Sequence, residues 1–390
     1  MPDPRIKTAQ TQFWSLAVQR ELARNTLFEV SYSGAHGVHL YDIENINLLG
    51  AANFYLGADP SSADCAGEGT PDDSGTGLPI CLTRPNNQYS NINMRGSLGS
   101  SSYNALNLKL QTQNIHNTGL TLVANYTWSH SLDDISSTFS EDIQGGSGYI
   151  GSLGYTNVLD PKLDWGSSDY DIRNRLVVSP IWQTPWFKSG SGVERQALGG
   201  WSISGIITAR SGIPFSVYDY NDDFNFYTVP RLTPATPITD FHTGAAVPSG
   251  TPGVFNVLTL PLPASFAPLD PALGISDFGP YPANMTRRNA FRGPGAWNTD
   301  LAIAKSFRLT ERFGLEFRAE GFDIFNHANL YVFGGSLDYD GLVPISPGST
   351  TLGPPPPLSV TAYKGGLGSL ALGGNHDERR FGQFSLKLSF

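Results

Sequence analysis

The stretch that decides the fold is the last one, Phe381-Gly382-Gln383-Phe384-Ser385-Leu386-Lys387-Leu388-Ser389-Phe390. Side chains of an extended strand alternate between two faces, so residues two apart share a side. Gly382, Phe384, Leu386, Leu388 and Phe390 therefore form one apolar face, and Gln383, Ser385, Lys387 and Ser389 form a polar one. A soluble sandwich strand alternates in the same way but rarely stops at an aromatic terminal residue. A strand of an outer-membrane barrel does both, with apolar residues on lipid, polar residues on the lumen and an aromatic in the interfacial girdle.

The same period recurs along the chain. Trp14, Leu16 and Val18 precede a tight Ala23-Arg24-Asn25-Thr26 turn, and Phe28, Val30 and Tyr32 follow it. Leu106, Leu108 and Leu110 share a face, as do Leu120, Leu122, Ala124, Tyr126 and Trp128 across the turn at 114–119. Leu176, Val178 and Trp182 pair naturally with Trp201, Ile203 and Ile207. The clearest hairpin has Trp297, Leu301, Ile303 and Phe307 running into Thr310-Glu311-Arg312, with Phe313, Leu315, Phe317 and Ala319 returning. With the terminal strand, about nine strands are expected, each near the 9–11 residues that cross a bilayer.

Connections alternate in length. Short ones fall near 23–26, 113–119, 185–200 and 310–312, and long ones near 38–101, 130–173, 212–296 and 326–378. Short periplasmic turns and long extracellular loops are the rhythm of outer-membrane barrels, which predicts a periplasmic carboxy terminus. The tryptophans sort with it. Trp14, Trp128 and Trp297 stand where strands meet long loops, and Trp182, Trp186 and Trp201 where they meet a short connection, as two aromatic belts would.

Composition fits. The 390 residues carry a net charge of −9, only 15% are charged and 12% are aromatic, against about 25% charged in an ordinary soluble domain. Such a chain is too acidic for nucleic acid and too aromatic for disorder. No apolar run suits a transmembrane helix, and Met1-Pro-Asp-Pro-Arg-Ile-Lys has no signal-peptide core. Nine is odd where single-chain barrels are even, and an open sheet would leave bare edges in hydrocarbon. The expectation is the carboxy-terminal part of a larger barrel.

Several blocks resemble TonB-dependent receptors of the Oar-like group. They are Thr11 to Arg20, Glu29 to Gly34, Asn125 to Asp134, Asp171 to Arg175 and Glu316 to His327, in family order and followed by the terminal strand. The resemblance implies a 22-stranded barrel of which residues 1–390 supply roughly the last nine strands. It also implies an amino-terminal plug and earlier strands outside this sequence, with the TonB complex acting only through the plug. Phe384, Leu386, Leu388 and Phe390 resemble the terminal signal read by the barrel assembly machinery.

No enzyme signature or cofactor motif is found, and no nucleophile elbow surrounds Ser189-Gly190-Ser191-Gly192. Cys65 and Cys81, sixteen apart in a Gly/Pro/Asp-rich segment, suit a disulfide closing an exposed loop, with two free thiols as the alternative. Asp133-Asp134 with Glu141-Asp142, and the run Asp219 to Asp223, have oxygen ligands for calcium but no EF-hand spacing, so solvated loops are the favoured reading. His36, His39, His130 and His327 are scattered, which favours structural roles. Glu316, Arg318 and Glu320 share the inward face of one strand, with Lys387 and Gln383 on the next: a ladder that lines the lumen, meets the plug, or satisfies charges across strands. The expected environment is outer-membrane lipid, the substrate is not legible, and a non-transporting surface protein, an inactive fragment and a soluble secreted sandwich are the rivals.

Overall fold

A computed structural model describes residues 2–47, 92–136, 160–187, 192–220, 286–308, 312–332 and 380–390. Shorter pieces lie at 86, 88–89, 155, 233–234, 241–242, 247–250, 252, 254–260, 266–267, 310, 335–338, 343–344, 352–353 and 358–364. Nine long strands form one sheet: β1 (Gln10–Ala23), β2 (Thr26–Asn45), β3 (Asn93–Thr112), β4 (Leu120–Asp133), β5 (Asn174–Gln183), β6 (Trp201–Arg210), β7 (Ala296–Arg308), β8 (Gly314–Phe322) and β9 (Phe381–Ser389). Each pairs antiparallel with the next in chain order, and a short piece at Gly166–Ser167 pairs with the end of β4. Among the described residues no helix is long and apolar enough to cross a membrane. The sheet is a meander in which, among the described residues, β1 and β9 each pair on one side only.

Register carries the alternation of single strands into a continuous wall. Val18 faces Val30, Val30 faces Leu108, Leu108 faces Tyr126 and Tyr126 faces Leu176. Across the second half Ile203 faces Ile303, Ile303 faces Ala319 and Ala319 faces Phe384. These chains of partners share one face of the pleat, and a slip of one residue would turn every one of them over. Leu16, Val18, Phe384, Leu386 and Leu388 on this face are all solvent-accessible in the isolated chain. An apolar face left open over this many strands is the side that a transmembrane barrel turns to lipid.

Trp14 faces Gly34, whose register leads through Asn104 to His130, so Trp128 lies two residues nearer the short-turn end. Trp297 faces Ala209 and, through it, Leu176, two residues past the Asn174 that faces Trp128. The belt thus drifts by one side-chain step every three strands, the drift a tilted strand array produces. Trp14's indole covers Gly34 so closely that a Cβ there would overlap the ring. Its Nε1 reaches the Tyr32 hydroxyl at 3.4 Å, which in turn donates to Asn104 Oδ1 at 2.6 Å.

Two sequence expectations are corrected. The connection expected over 38–101 is strand at both its ends, since β2 runs on to Asn45 and β3 begins at Asn93, and the two project well beyond the belt. Glycine there marks close packing rather than a loop. A Cβ on Gly37 would lie 2.7 Å from Ser101 Oγ, and one on Gly99 would lie 3.0 Å from the Leu40 carbonyl. The pairing survives two register shifts between Gly37 and Asp42, where His39 adopts φ 55°. Second, the connection near 185–200, expected as a short link, contains a seven-residue α-helix, α1 (Gly192–Leu198).

Candidate functional site: buried charge at the long-loop end

Most of the buried charge lies where strands enter long loops. The segment leading into β7 carries Arg288 and Arg292, and each docks onto the β4–β5 connection. Arg288 donates from Nε to the Asp164 carbonyl at 3.0 Å and from Nη1 to Ser136 Oγ at 3.0 Å and Asp169 Oδ1 at 3.3 Å. Its Nη2 donates to the Asp133 carbonyl at 2.9 Å and pairs closely with the Asp133 carboxylate. Burial works to lower the Arg288 pKa, but the surrounding Asp133, Asp169 and Asp164 raise it above its ordinary value. Arg292, only 1% exposed, pairs with fully buried Asp171. Asp171 also accepts from Ser131 N at 2.8 Å and meets His130 Nδ1 at 3.2 Å and Arg173 Nε at 3.0 Å. Against the burial that would raise it, these donors hold the Asp171 carboxyl below the usual range. Asn289 completes the clasp through Ser167 O at 2.8 Å, Asp169 Oδ1 at 2.6 Å and Ser216. Chain segments more than 100 residues apart are thereby joined on one end of the wall.

A second cluster lies on the projecting ends of β2 and β3. Asp42 and Glu44 are two apart on β2, hence on one face, and both are buried. Asp42 Oδ2 accepts from Leu98 N at 2.9 Å and from the Tyr155 hydroxyl at 3.1 Å. Nearby, Asp134 accepts from Ser100 N at 2.8 Å and Oγ at 2.6 Å. Burial raises the Asp42 and Asp134 carboxyls despite these donors, and raises the Tyr155 phenol. Burial, reinforced by Asp42 and Asp3, pushes Glu44 up to about 7.

The sign of the pH effect follows. A carboxyl whose folded pKa exceeds its unfolded value favours the native state while protonated, and this stability is lost as pH rises through the folded pKa. In buffer free of divalent ions, stability is therefore expected to fall between about pH 4.5 and 7, by roughly 3 kcal/mol at about 1.4 kcal/mol per pKa unit. Urea unfolding of the wild type and of Glu44→Gln across that range checks it, because the variant should lose most of the slope.

The expected site residues fare as follows. On the polar face Arg318 pairs with Glu320 at 2.5 Å and Gln383 donates to Glu320, while Glu316 faces Lys387 in register. Phe384, Leu386 and Leu388 share the apolar face with Phe317 and Leu315. Cys65, Cys81, Glu141, Asp142, Asp222 and Asp223 lie outside the described residues. Asp133 and Asp134, in a segment whose sequence favours a solvated loop, are buried and hydrogen-bonded. Among the described residues no group of three or more His, Cys, Asp or Glu is arranged to hold a metal. The histidines have structural contacts: His36 Nδ1 lies 3.0 Å from the Ser101 carbonyl, and His327 stacks on Trp297 at 4.2 Å. That stack borders an open cavity of about 520 Å³ with Phe255, Pro294 and Leu330 in its lining.

Sequence reading missed Lys305, which lies on the apolar face. Its register partners are Trp201 and Phe317. The ammonium reaches past the wall to the Ala197 carbonyl at 3.1 Å and the Gly199 carbonyl, with the Trp201 and Phe307 rings 5.0 and 5.2 Å away. A long stem on apolar surface with its charge carried to the boundary is snorkelling, and the carbonyls it meets are those a helix leaves unpaired at its end. Lys305→Met keeps the stem and removes the donor. It should cost about 1.5–3 kcal/mol and speed amide exchange around α1, as hydrogen-exchange mass spectrometry would detect.

A tilted antiparallel meander with an apolar face, aromatic belts and buried polar clasps at one end is the wall of a transmembrane β-barrel. The chain belongs to the outer membrane beta barrel domain family, whose model matches residues 1–341. No curated protein matches it. Among solved structures it is similar to FpvA of P. aeruginosa, solved bound to heterologous pyoverdines, at 10% identity and TM-score 0.37 over 92% of this chain and 28% of that one. It is also similar to BauA, the ferric preacinetobactin receptor of Acinetobacter baumannii, at 11% identity and TM-score 0.36 over 91% and 29%. The outer membrane transporter YddB of Escherichia coli gives 8% identity and TM-score 0.40 over 92% and 33%. The chain thus spans about a third or less of each of these proteins.

Proposed function

We propose that this chain is the carboxy-terminal wall of a TonB-dependent outer-membrane receptor, which captures a substrate in its extracellular loops and imports it with energy from the TonB system. The observation that carries the reading is the meander with two half-paired outer strands, β1 and β9. Unpaired backbone groups in hydrocarbon cost several kcal/mol each, so such a sheet needs further strands to close. The sequence blocks resembling Oar-like receptors say what kind of barrel those strands would complete. The plug and its TonB-contacting box belong to sequence outside these residues. The clasped ends face outward in this reading and the carboxy terminus faces the periplasm. Phe384, Leu386, Leu388 and Phe390 then serve both as lipid contacts and as the address read by the barrel assembly machinery. The Glu316, Arg318, Glu320 and Lys387 ladder then faces the lumen, where it satisfies charges across strands or meets the plug.

Uptake tests this. Growth on siderophore-bound iron, glycans and peptides is compared between strains with the gene intact or deleted, each with and without TonB. A nutrient whose use is lost on either deletion supports transport. Unchanged growth on every nutrient, with loss of surface attachment alone, replaces it with a non-transporting surface protein.

A further inference from the structure

We propose that the projecting ends of β2 and β3 form a calcium site in which Asp42 and Glu44 are the anionic ligands and the bare Cα of Gly96 lets the two carboxylates come together. Asp42 Oδ1 and Glu44 Oε1 are both buried, and among the described residues neither has a hydrogen-bond partner. Leaving a charged oxygen buried and unmatched is costly, so two of them side by side call for a cation. They also converge on one point. A Cβ built on Gly96 would overlap Asp42 Oδ1 and lie 3.1 Å from Glu44 Oε1. Both orphaned oxygens therefore lie close to one point beside Gly96, directly across the register from Asp42, an approach that a residue without a side chain allows.

The charges around the pair do not supply the cation. Asp3 adds negative charge beside Glu44, and Arg5 is engaged with Asp3 at 3.3 Å on the exposed side. The Tyr155 hydroxyl and Leu98 N–H occupy only Asp42 Oδ2. The donor set is oxygen alone, without the nitrogen or sulfur that zinc prefers. Two carboxylates with water filling the remaining positions suit calcium, which accepts six to eight oxygens in flexible geometry, better than magnesium with its rigid octahedron. So few charged ligands place the affinity in the range of about 10⁻⁴–10⁻³ M typical of extracellular modules. The proposal stands apart from the transport reading, since it needs only the β2–β3 ends.

Terbium luminescence tests it on the purified full chain in detergent micelles. Tyr155 lies against Asp42 and should sensitise a bound Tb³⁺, giving saturable emission that millimolar Ca²⁺ displaces and Mg²⁺ does not. Tyr155→Phe should remove most of that emission while leaving Ca²⁺ affinity measurable by calorimetry. Glu44→Gln and Gly96→Ala should each weaken Ca²⁺ by about ten-fold or more, the first by removing a ligand and the second by displacing the Asp42 carboxylate. Folded wild-type protein without saturable, Ca²⁺-displaceable emission overturns the site, as does unchanged affinity in folded Glu44→Gln. The wild-type arm decides even if a variant fails to fold.

Discussion

Replacing Asp171 with alanine is expected to lower the unfolding free energy by about 3–5 kcal/mol, the usual effect of breaking a buried ion pair by deleting one partner. Arg292 would keep its charge in a site 1% exposed to solvent, and the Ser131 amide and His130 would lose their acceptor. The comparison is with Arg173→Ala, which deletes a partly exposed guanidinium, leaves Asp171 paired with Arg292, and should cost far less. Chemical unfolding in micelles measures both. Because the clasp joins the segment before β7 to the β4–β5 connection, limited proteolysis should cut Asp171→Ala near residues 286–292 faster than the wild type. Equal stability of the two variants would show that the clasp does not hold this end of the wall. The depressed Asp171 pKa fixes the sign with pH. A carboxyl lowered on folding contributes stability that is complete above its unfolded value and lost as pH falls below about 4.

Placing arginine at Leu301 is the second large effect, about 2–4 kcal/mol if the apolar face meets lipid near the bilayer midplane. Leu301 lies in β7 midway between Trp297, in the belt at the long-loop end, and Lys305, which faces Trp201 at the other. Its register partners are Gly205 and Gly321, neither of which has a side chain to accept a hydrogen bond from a guanidinium. Lys305 on the same face survives only because carbonyls lie within reach of its ammonium, and Leu301 is four residues from that relief. Ala302→Arg, one residue on and opposite Glu320 on the polar face, is the control and should be nearly neutral. Equal losses for the two variants in lipid bilayers would reverse the assignment of faces.

The nine strands were legible because period-two alternation is a local property. Each strand reports its own apolar face, as Phe384, Leu386 and Leu388 do without reference to their partners. The two-residue turn after β1 was legible for the same reason, with Asn25 tolerating φ 64°. Strand length was harder to read. Glycines at 37, 96 and 99 carry the same letter whether they loosen a loop or let two strands approach closely, and the partner across the sheet decides which. Asp42 and Glu44 could have been seen as two carboxylates on one strand face, but the convergence of their oxygens beside Gly96 could not.

What the sequence determined by itself is therefore the kind of wall this is: antiparallel, apolar on one side, belted by tryptophan and entered by long loops. Alternation and turn chemistry act over a few residues, and a reader needs no partner to see them. The tertiary structure alone decided where the buried charges meet. Arg288 finds Asp133 across 155 positions and Arg292 finds Asp171 across 121. The desolvation that makes those pairs costly to break exists only once the segments are packed together. The same holds for Lys305, whose place on the apolar face is tolerable only because the end of α1 lies beside it.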